Sequence, residues 1–228
     1  MSTLSDFPED WHTALVLVAH PDDPEYGIAA AVRRWTDEGK HVVYALASSG
    51  EKGIAGMDPA EAGPLRENEQ RISAAIVGVD EVEFWGYPDS DIRNSATLRA
   101  TIADAIRRIR PDLIVSLYGG THWAPDAPNQ PDHIEFSAAV REAFSALEQA
   151  DRPRWLFENG PDATHAVPVS ATDIDSAIRA LAAHRVYLEV LDPDTPVAEQ
   201  ARAQVDQMTA ARPDYDGRRA VGFAAKLL

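Results

Sequence analysis

Cysteine is absent from the 228-residue chain. That excludes a disulfide framework, a cysteine zinc finger, an iron–sulfur site and a thiol nucleophile. Any metal must therefore be held by histidine and carboxylate. Basic residues are scarce: Lys and Arg number 21 against 37 Asp and Glu, a formal net charge of −16. Such a chain repels polyphosphate and anionic lipid, which argues against nucleic-acid and membrane partners and favours a small neutral or cationic one. An acidic surface also serves solubility with no partner at all. Long apolar runs are missing too. The purest, Thr13–Ala19, has the length of a strand and falls well short of a membrane span. The opening MSTLSDFPEDW has neither the basic nor the apolar region of a signal peptide. The expectation is a cytoplasmic protein with one domain over residues 1–228, a length that buries a core without covalent staples.

What is present is an alternation of strand-like and helix-like segments. TALVLVA (Thr13–Ala19), HVVYALAS (His41–Ser48), EVEFW (Glu81–Trp85), DLIVSLY (Asp112–Tyr118) and Arg154–Phe157 read as strands. Glu25–Asp37, Leu65–Gly78, Leu98–Ile109 and Ile134–Leu147 carry apolar residues at helical spacing between them. Ala171–Arg185 and Val197–Thr209 extend the helical pattern, and Ala220–Leu227 suits a last strand. The alternation predicts an α/β fold, a sandwich of helices on both faces of a mostly parallel sheet. In such sheets ligands sit beyond the carboxyl ends of the strands. Two stretches there, Gly50–Pro64 and Gly119–Pro131, read as long loops.

The chemistry concentrates at those ends. His20-Pro21-Asp22-Asp23-Pro24-Glu25 follows the first strand, and Asn129-Gln130-Pro131-Asp132-His133 opens the helix after the fourth. Asp23, Pro24 and Glu25 suit a helix start with an Asp cap and Pro at the first position, and Asp132 suits a second cap. The first reading does not account for His20 or Asp22, and His133 taken alone could be an ordinary surface residue; it is the pairing of the two clusters that counts. Both clusters lie between a strand end and a helix start, so they can converge on one sheet edge. Two His and one Asp make a common zinc set with a position left for water, and a neighbouring carboxylate can take that water's proton. A nucleotide-binding turn is disfavoured, because the first strand leads into His-Pro-Asp-Asp and not a Gly-rich loop.

The chain resembles the LmbE-like, or PIG-L, family of zinc-dependent N-deacetylases. The resemblance runs from Thr13 to about Arg185 through TALVLVAHPDDPEYG, SSGEKG (Ser48–Gly53), GPLRENEQ (Gly63–Gln70), FWGYPDS (Phe84–Ser90) and QPDH (Gln130–His133). It implies a Rossmann-like α/β sandwich and hydrolysis of a linear amide, above all N-deacetylation of an N-acetylglucosamine conjugate. It implies His20, Asp23 and His133 as ligands of zinc, with ferrous iron also compatible with that donor set, and Asp22 as general base. Asp132 becomes a residue orienting a neighbouring ring, and Arg66 one that contacts substrate hydroxyls. Glu51 and Asp89 line the same pocket. Family members are often homo-oligomers.

The chain departs from the family pattern in two places. Pro24 separates the two Asp from Glu25, and Gln130 replaces the first His of the second motif, a residue that serves the leaving amine or the oxyanion. Gln donates a hydrogen bond but does not shuttle a proton. His165 is the first candidate for the missing acid, with Tyr118 and His122 behind it. His12, His41 and His184 read as structural. Trp85 and Trp123 read as packing residues that could also face a sugar ring or acyl group. Two alternatives stay open: an amidase of a larger thiol-sugar or antibiotic conjugate, and a metal- or sugar-binding homologue without turnover.

Overall fold

The computed structural model describes residues 4–227. In chain order the strands are β1 (Ser5–Asp6), β2 (Thr13–Val18), β3 (His41–Leu46), β4 (Glu81–Phe84), β5 (Leu113–Leu117), β6 (His122–Ala124), β7 (Ala127–Pro128), β8 (Trp155–Asn159), β9 (His165–Pro168), β10 (Ala211–Arg212) and β11 (Arg218–Leu227). The helices are α1 (Asp23–Gly27), α2 (Ala29–Asp37), α3 (Pro59–Ile76), α4 (Ala96–Ile109), α5 (Pro131–Ala146), α6 (Ala171–Ala182), α7 (Arg185–Leu191) and α8 (Val197–Met208). The main sheet runs β1-β9-β11-β8-β5-β2-β3-β4, with β10 paired to β11. The run β8-β5-β2-β3-β4 is parallel throughout, and β11 enters antiparallel between β8 and β9. The expected Rossmann-like, mostly parallel sandwich is therefore the architecture found.

Strand alternation divides the core. Ala14, Val16 and Val18 of β2 join Val42, Tyr44 and Leu46 of β3 on one face. Leu15, Leu17, Val43 and Ala45 belong to the other, with Ile102, Ile106, Phe136 and Val140 from α4 and α5. Strands buried on both faces read as unbroken apolar runs, which is why TALVLV and HVVYAL stand out in the sequence.

Several boundaries differ from expectation. The Glu25–Asp37 helix is two, broken at Ile28. The Gly50–Pro64 stretch is half helical. Asp58 accepts from Ala60 N and Pro59 occupies the first helical position, where a proline forfeits no backbone bond; Pro64, inside α3, gives up the bond an N–H there would make to Ala60 O. The Gly119–Pro131 stretch holds the small β6–β7 hairpin. The segments β1, β9, β10 and α7 carried no periodic signal. The expected last strand is present, but as an inner strand of the sheet. No helix among the described residues is long and apolar enough to cross a membrane.

Candidate active site

Because β2, β3, β4, β5 and β8 run the same way, their carboxyl ends share one edge, and the segments after them converge there. His20 follows β2, Asp89 follows β4, and Asp132 and His133 stand in the first turn of α5. All four are buried. The rings of His20 and His133 lie 5.4 Å apart. His20 Nε2 is 3.2 Å from Asp132 Oδ2 and 3.3 Å from Asp89 Oδ1, and its Nδ1 is 3.7 Å from Asp23 Oδ2. His133 Nε2 is 3.1 Å from Asp23 Oδ1.

The two helix-cap readings fail here for the same reason. Asp23 does not cap α1: its Oδ2 turns back to accept from Ala19 N (3.0 Å) and His20 N (2.7 Å). That leaves Oδ1 aimed at His133. Asp132 does not cap α5, whose cap position is Gln130. Asp132 instead accepts from Ile92 N at 3.3 Å and bonds His20. Both carboxylates are spent on the cluster.

Asp22 sits beside it in a left-handed backbone conformation, φ 85°, a costly state for a non-glycine residue that persists only where surroundings impose it. Two groups impose it. Gln70 Oε1 accepts the Asp22 N–H at 2.7 Å, and Arg66 Nη2 donates to Asp22 Oδ2 at 3.1 Å. Burial pushes the Asp22 carboxyl up to about 6, with Arg66 pulling the other way. That places it close to neutral pH, where a base is most effective.

The remaining titrations describe a pocket crowded with negative charge. Burial alone would lower His20. Bonds to Asp132 and Asp89 and the charge of Asp23 outweigh it and raise the ring to about 10. For Asp23 and Asp89 burial opposes ionisation. His133 and His20 overcome it at Asp23, and His20 and Lys52 N overcome it at Asp89, so both carboxyls fall to about 2.

The donor set suits a divalent ion. His20, Asp23 and His133 offer ligand atoms all within 4.8 Å of one another, and so do His20, Asp89 and Asp132. Neither nitrogen of buried His133 has a hydrogen-bond partner, although Nε2 is within 3.1 Å of Asp23. Nitrogen and oxygen that converge without bonding are arranged as metal ligands are, and the extra carboxylates supply the outer bonds that fix ring orientation.

Arg66, expected to contact substrate hydroxyls, is 3% exposed and turned inward, its two terminal nitrogens bonded and its Nε without a partner. It donates to Gly50 O, Pro21 O and Asp22, and stacks on Tyr187. The glycines of SSGEKG make that possible, since a Cβ on Gly50 would collide with the guanidinium. Glu51 accepts from Asp89 N and so props up the cluster from outside. Gln130 lines the adjoining cavity. His165 is not brought to the cluster. Its ring packs edge-on against Phe157 and its Nδ1 bonds Thr164, on β9 beyond β11 and β8. His122 is exposed on β6, bonded to Thr121, and Tyr118 packs on Trp123. No imidazole therefore stands where the missing His would.

Several residues escaped the sequence reading. The cavity beside the cluster has a volume of about 380 Å³, and Tyr26, Asn159, Tyr187, Leu191, Gln204 and Met208 help to line it. Gly27 lets α1 approach Asn159, with whose Oδ1 any Cβ there would clash. Gln70 was visible inside GPLRENEQ but carried no signal beyond helical spacing.

Residues 15–144 match the family described as PIG-L, GlcNAc-PI de-N-acetylase. The chain belongs to the PIG-L family. Among its curated relatives is the probable N-acetyl-alpha-D-glucosaminyl L-malate deacetylase 2 of Bacillus anthracis, 26% identical over 209 residues that cover 86% of this chain and 88% of the relative. Among solved structures, the N,N'-diacetylchitobiose deacetylase of Pyrococcus horikoshii superposes with a TM-score of 0.80 at 19% identity, covering 96% of this chain and 85% of that one. The 4-carboxy-2-hydroxymuconate hydratase of Pseudomonas putida KT2440 superposes at 0.65 with 20% identity, covering 95% and 97%. The PIG-L fold thus carries more than one chemistry, and the activity has to be argued from the site.

Proposed function

We propose that the protein is a metal-dependent N-deacetylase of an N-acetylglucosamine-containing conjugate, with zinc held by His20, Asp23 and His133. The observation that carries the reading is the buried convergence of those three side chains beside Asp22, opening on a cavity. The reading includes a cytoplasmic location and a small-molecule amino-sugar substrate, the chemistry named for the relatives.

When bound, the ion supplies Lewis acidity to the amide carbonyl and to water. Asp22 takes the proton of the attacking water as its oxygen bonds the carbonyl carbon. The C–N bond then breaks, and the same proton passes to the leaving nitrogen, which departs as the amine while acetate remains. A buried carboxyl can do both, because desolvation makes it a stronger base than one in water and so a better proton carrier. With Gln130 where the family has His, the second proton carrier is removed from the site, and Gln130 retains only hydrogen-bond donation toward the carbonyl oxygen. Arg66 and Gln70 hold Asp22 in position. Asp132 and Asp89 hold His20.

The test is acetate release from N-acetylglucosamine conjugates by the zinc-loaded protein. Stoichiometric acetate and free amine are expected. Absence of both across a broad panel, with metal content verified, overturns the reading.

A further inference from the structure

The cavity has two unlike walls. One is the cluster itself, with Asp22, Asp23 and His133. The other comes from α7, α8 and the β6–β7 hairpin, and it holds no lysine or arginine. The cations nearest the cluster are already committed: Arg66 to Gly50 O, Pro21 O and Asp22, and Lys52 Nζ to Asp89 O at 2.8 Å. The amides of the wall are partly committed as well, since Gln204 donates to Tyr26 O.

The far wall is apolar at its mouth. Four large apolar side chains stand exposed among the described residues. Trp123 (38%) and Leu191 (55%) both line this cavity, and Val190 adjoins Leu191 in α7. An exposed apolar group at a cavity mouth usually marks a binding surface. This one is also held rigid. Tyr118 packs on Trp123 at 4.9 Å, Trp123 Nε1 donates to Asn129, and the Tyr187 ring is clamped by Arg66. The wall also presents the amides of Gln204 and Gln207, but its exposed aromatic and aliphatic groups, being preformed, lose little freedom on binding.

We propose that this wall receives an uncharged, apolar substituent of the amino-sugar conjugate, an alkyl or aryl group, and that the site discriminates against conjugates carrying an anionic one. This rests on the deacetylase reading above. A carboxylate-bearing substituent, such as the malate named for the Bacillus anthracis relative, finds no cation on the wall. It also approaches a chain of net charge −16. An apolar group gains from burial instead, roughly fourfold for each methylene removed from water. Such a group can belong to the aglycone or to a longer N-acyl chain, and both present the same surface to Trp123 and Leu191.

The experiment compares four substrates on the zinc-loaded protein by amine release: methyl N-acetylglucosaminide, octyl N-acetylglucosaminide, methyl N-octanoylglucosaminide and the malate N-acetylglucosaminide. At least a tenfold higher kcat/KM for one octyl compound over both the methyl and malate compounds is expected. The octyl glycoside leading assigns the wall to the aglycone, and the octanoyl amide leading assigns it to the acyl chain. Malate equal to or better than both octyl compounds overturns the proposal. If none of the four is hydrolysed, the broad panel above decides the deacetylase reading. Calorimetry with octyl and malate glucosaminides then decides this proposal alone: tighter octyl binding upholds it, and equal or tighter malate binding overturns it. Leu191→Lys, at an exposed position that tolerates charge, is expected to shrink the octyl-over-malate ratio at least fivefold; an unchanged ratio overturns the assignment of the wall.

Discussion

Two buried histidine–carboxylate clusters lie side by side in this protein and have opposite surroundings. In one, His20 and His133 meet Asp23, Asp89 and Asp132 beside a cavity. In the other, His184 Nε2 lies 3.3 Å from Glu25 Oε2, both side chains wholly buried. Gln70 joins them, accepting from Asp22 N on one side and donating to both Glu25 oxygens at 3.2 Å on the other. Burial and a His–carboxylate contact are common to both. The first differs in having several ligand atoms converging on one point and a path from solvent. The second is one ring against one carboxylate between α1, α3 and the α6–α7 junction. A buried His–carboxylate pair is thus a structural part by default, and becomes a candidate metal centre when a third and fourth donor point inward.

The comparison breaks most sharply at the ligands. His133→Ala should abolish bound metal and activity together, read by elemental analysis and acetate release. His184→Ala should leave one metal per chain while costing about 1–3 kcal/mol of stability, because Glu25 keeps Gln70 but loses the ring that faces it. Equal metal loss in the two variants would erase the distinction drawn here. Next in size, Asp22→Asn should keep the metal and reduce kcat by roughly 10²–10⁴-fold, the range of a lost general base. A fully active variant would remove Asp22 from the mechanism.

Gln70 tests whether the clusters are coupled. Gln70→Leu leaves the Asp22 N–H unpaired and Glu25 with His184 alone, at about 1–3 kcal/mol for each lost partner, and frees Asp22 from its left-handed conformation. Stability should fall by a few kcal/mol and kcat should fall with KM and metal content nearly unchanged. A fall in KM-linked binding alone would mean that Gln70 does not position the base. The smallest effect belongs to the opposite, amino edge of the sheet. There Asp112 accepts from His12 N (2.7 Å) and Thr13 N (3.0 Å). Burial would raise its carboxyl, and those two bonds hold it below the usual value. Its stabilisation is then fully present above the unfolded value of about 3.9 and is lost as pH falls through the lower folded value. The unfolding free energy of Asp112→Ala, read from urea titration, should lie slightly below the parent's at pH 6, by about 1 kcal/mol or less. The gap should close in acid, with metal content and activity untouched throughout.

Legibility in the sequence followed the range of the interaction. The strands β2, β3 and β5 were readable because both of their faces are buried, so each residue is constrained separately. The His20, Asp22 and Asp23 motif was readable because it is contiguous, and its convergence with Asp132 and His133 followed from parallel strand order. Arg66 was found, but its neighbourhood was not: a guanidinium looks the same in sequence whether it reaches solvent or is clamped between Pro21, Gly50, Asp22 and Tyr187. His165 was misplaced because its distance from the cluster depends on β11 being inserted between β8 and β9, a pairing between the chain's last strand and segments some sixty residues earlier. The wall from α7 and α8 was missed for the same reason. The short α7 has one buried side chain, Leu188, too few for a periodic signal.

By itself the sequence determined that a metal here must rest on His and Asp, since it has no cysteine, and that these residues fall at the ends of parallel strands. Local chemistry and apolar periodicity suffice for that. Only the tertiary structure decided which carboxylates serve the cluster and which serve a helix cap, because Asp23 and Asp132 turn toward partners far away in the chain. It alone decided that His184 and Glu25 form a sealed pair and that the wall facing the cluster carries no charge and exposes Trp123 and Leu191. Those outcomes depend on which helices the mixed edge of the sheet brings over the site, and that is a matter of long-range packing with no signature in neighbouring residues.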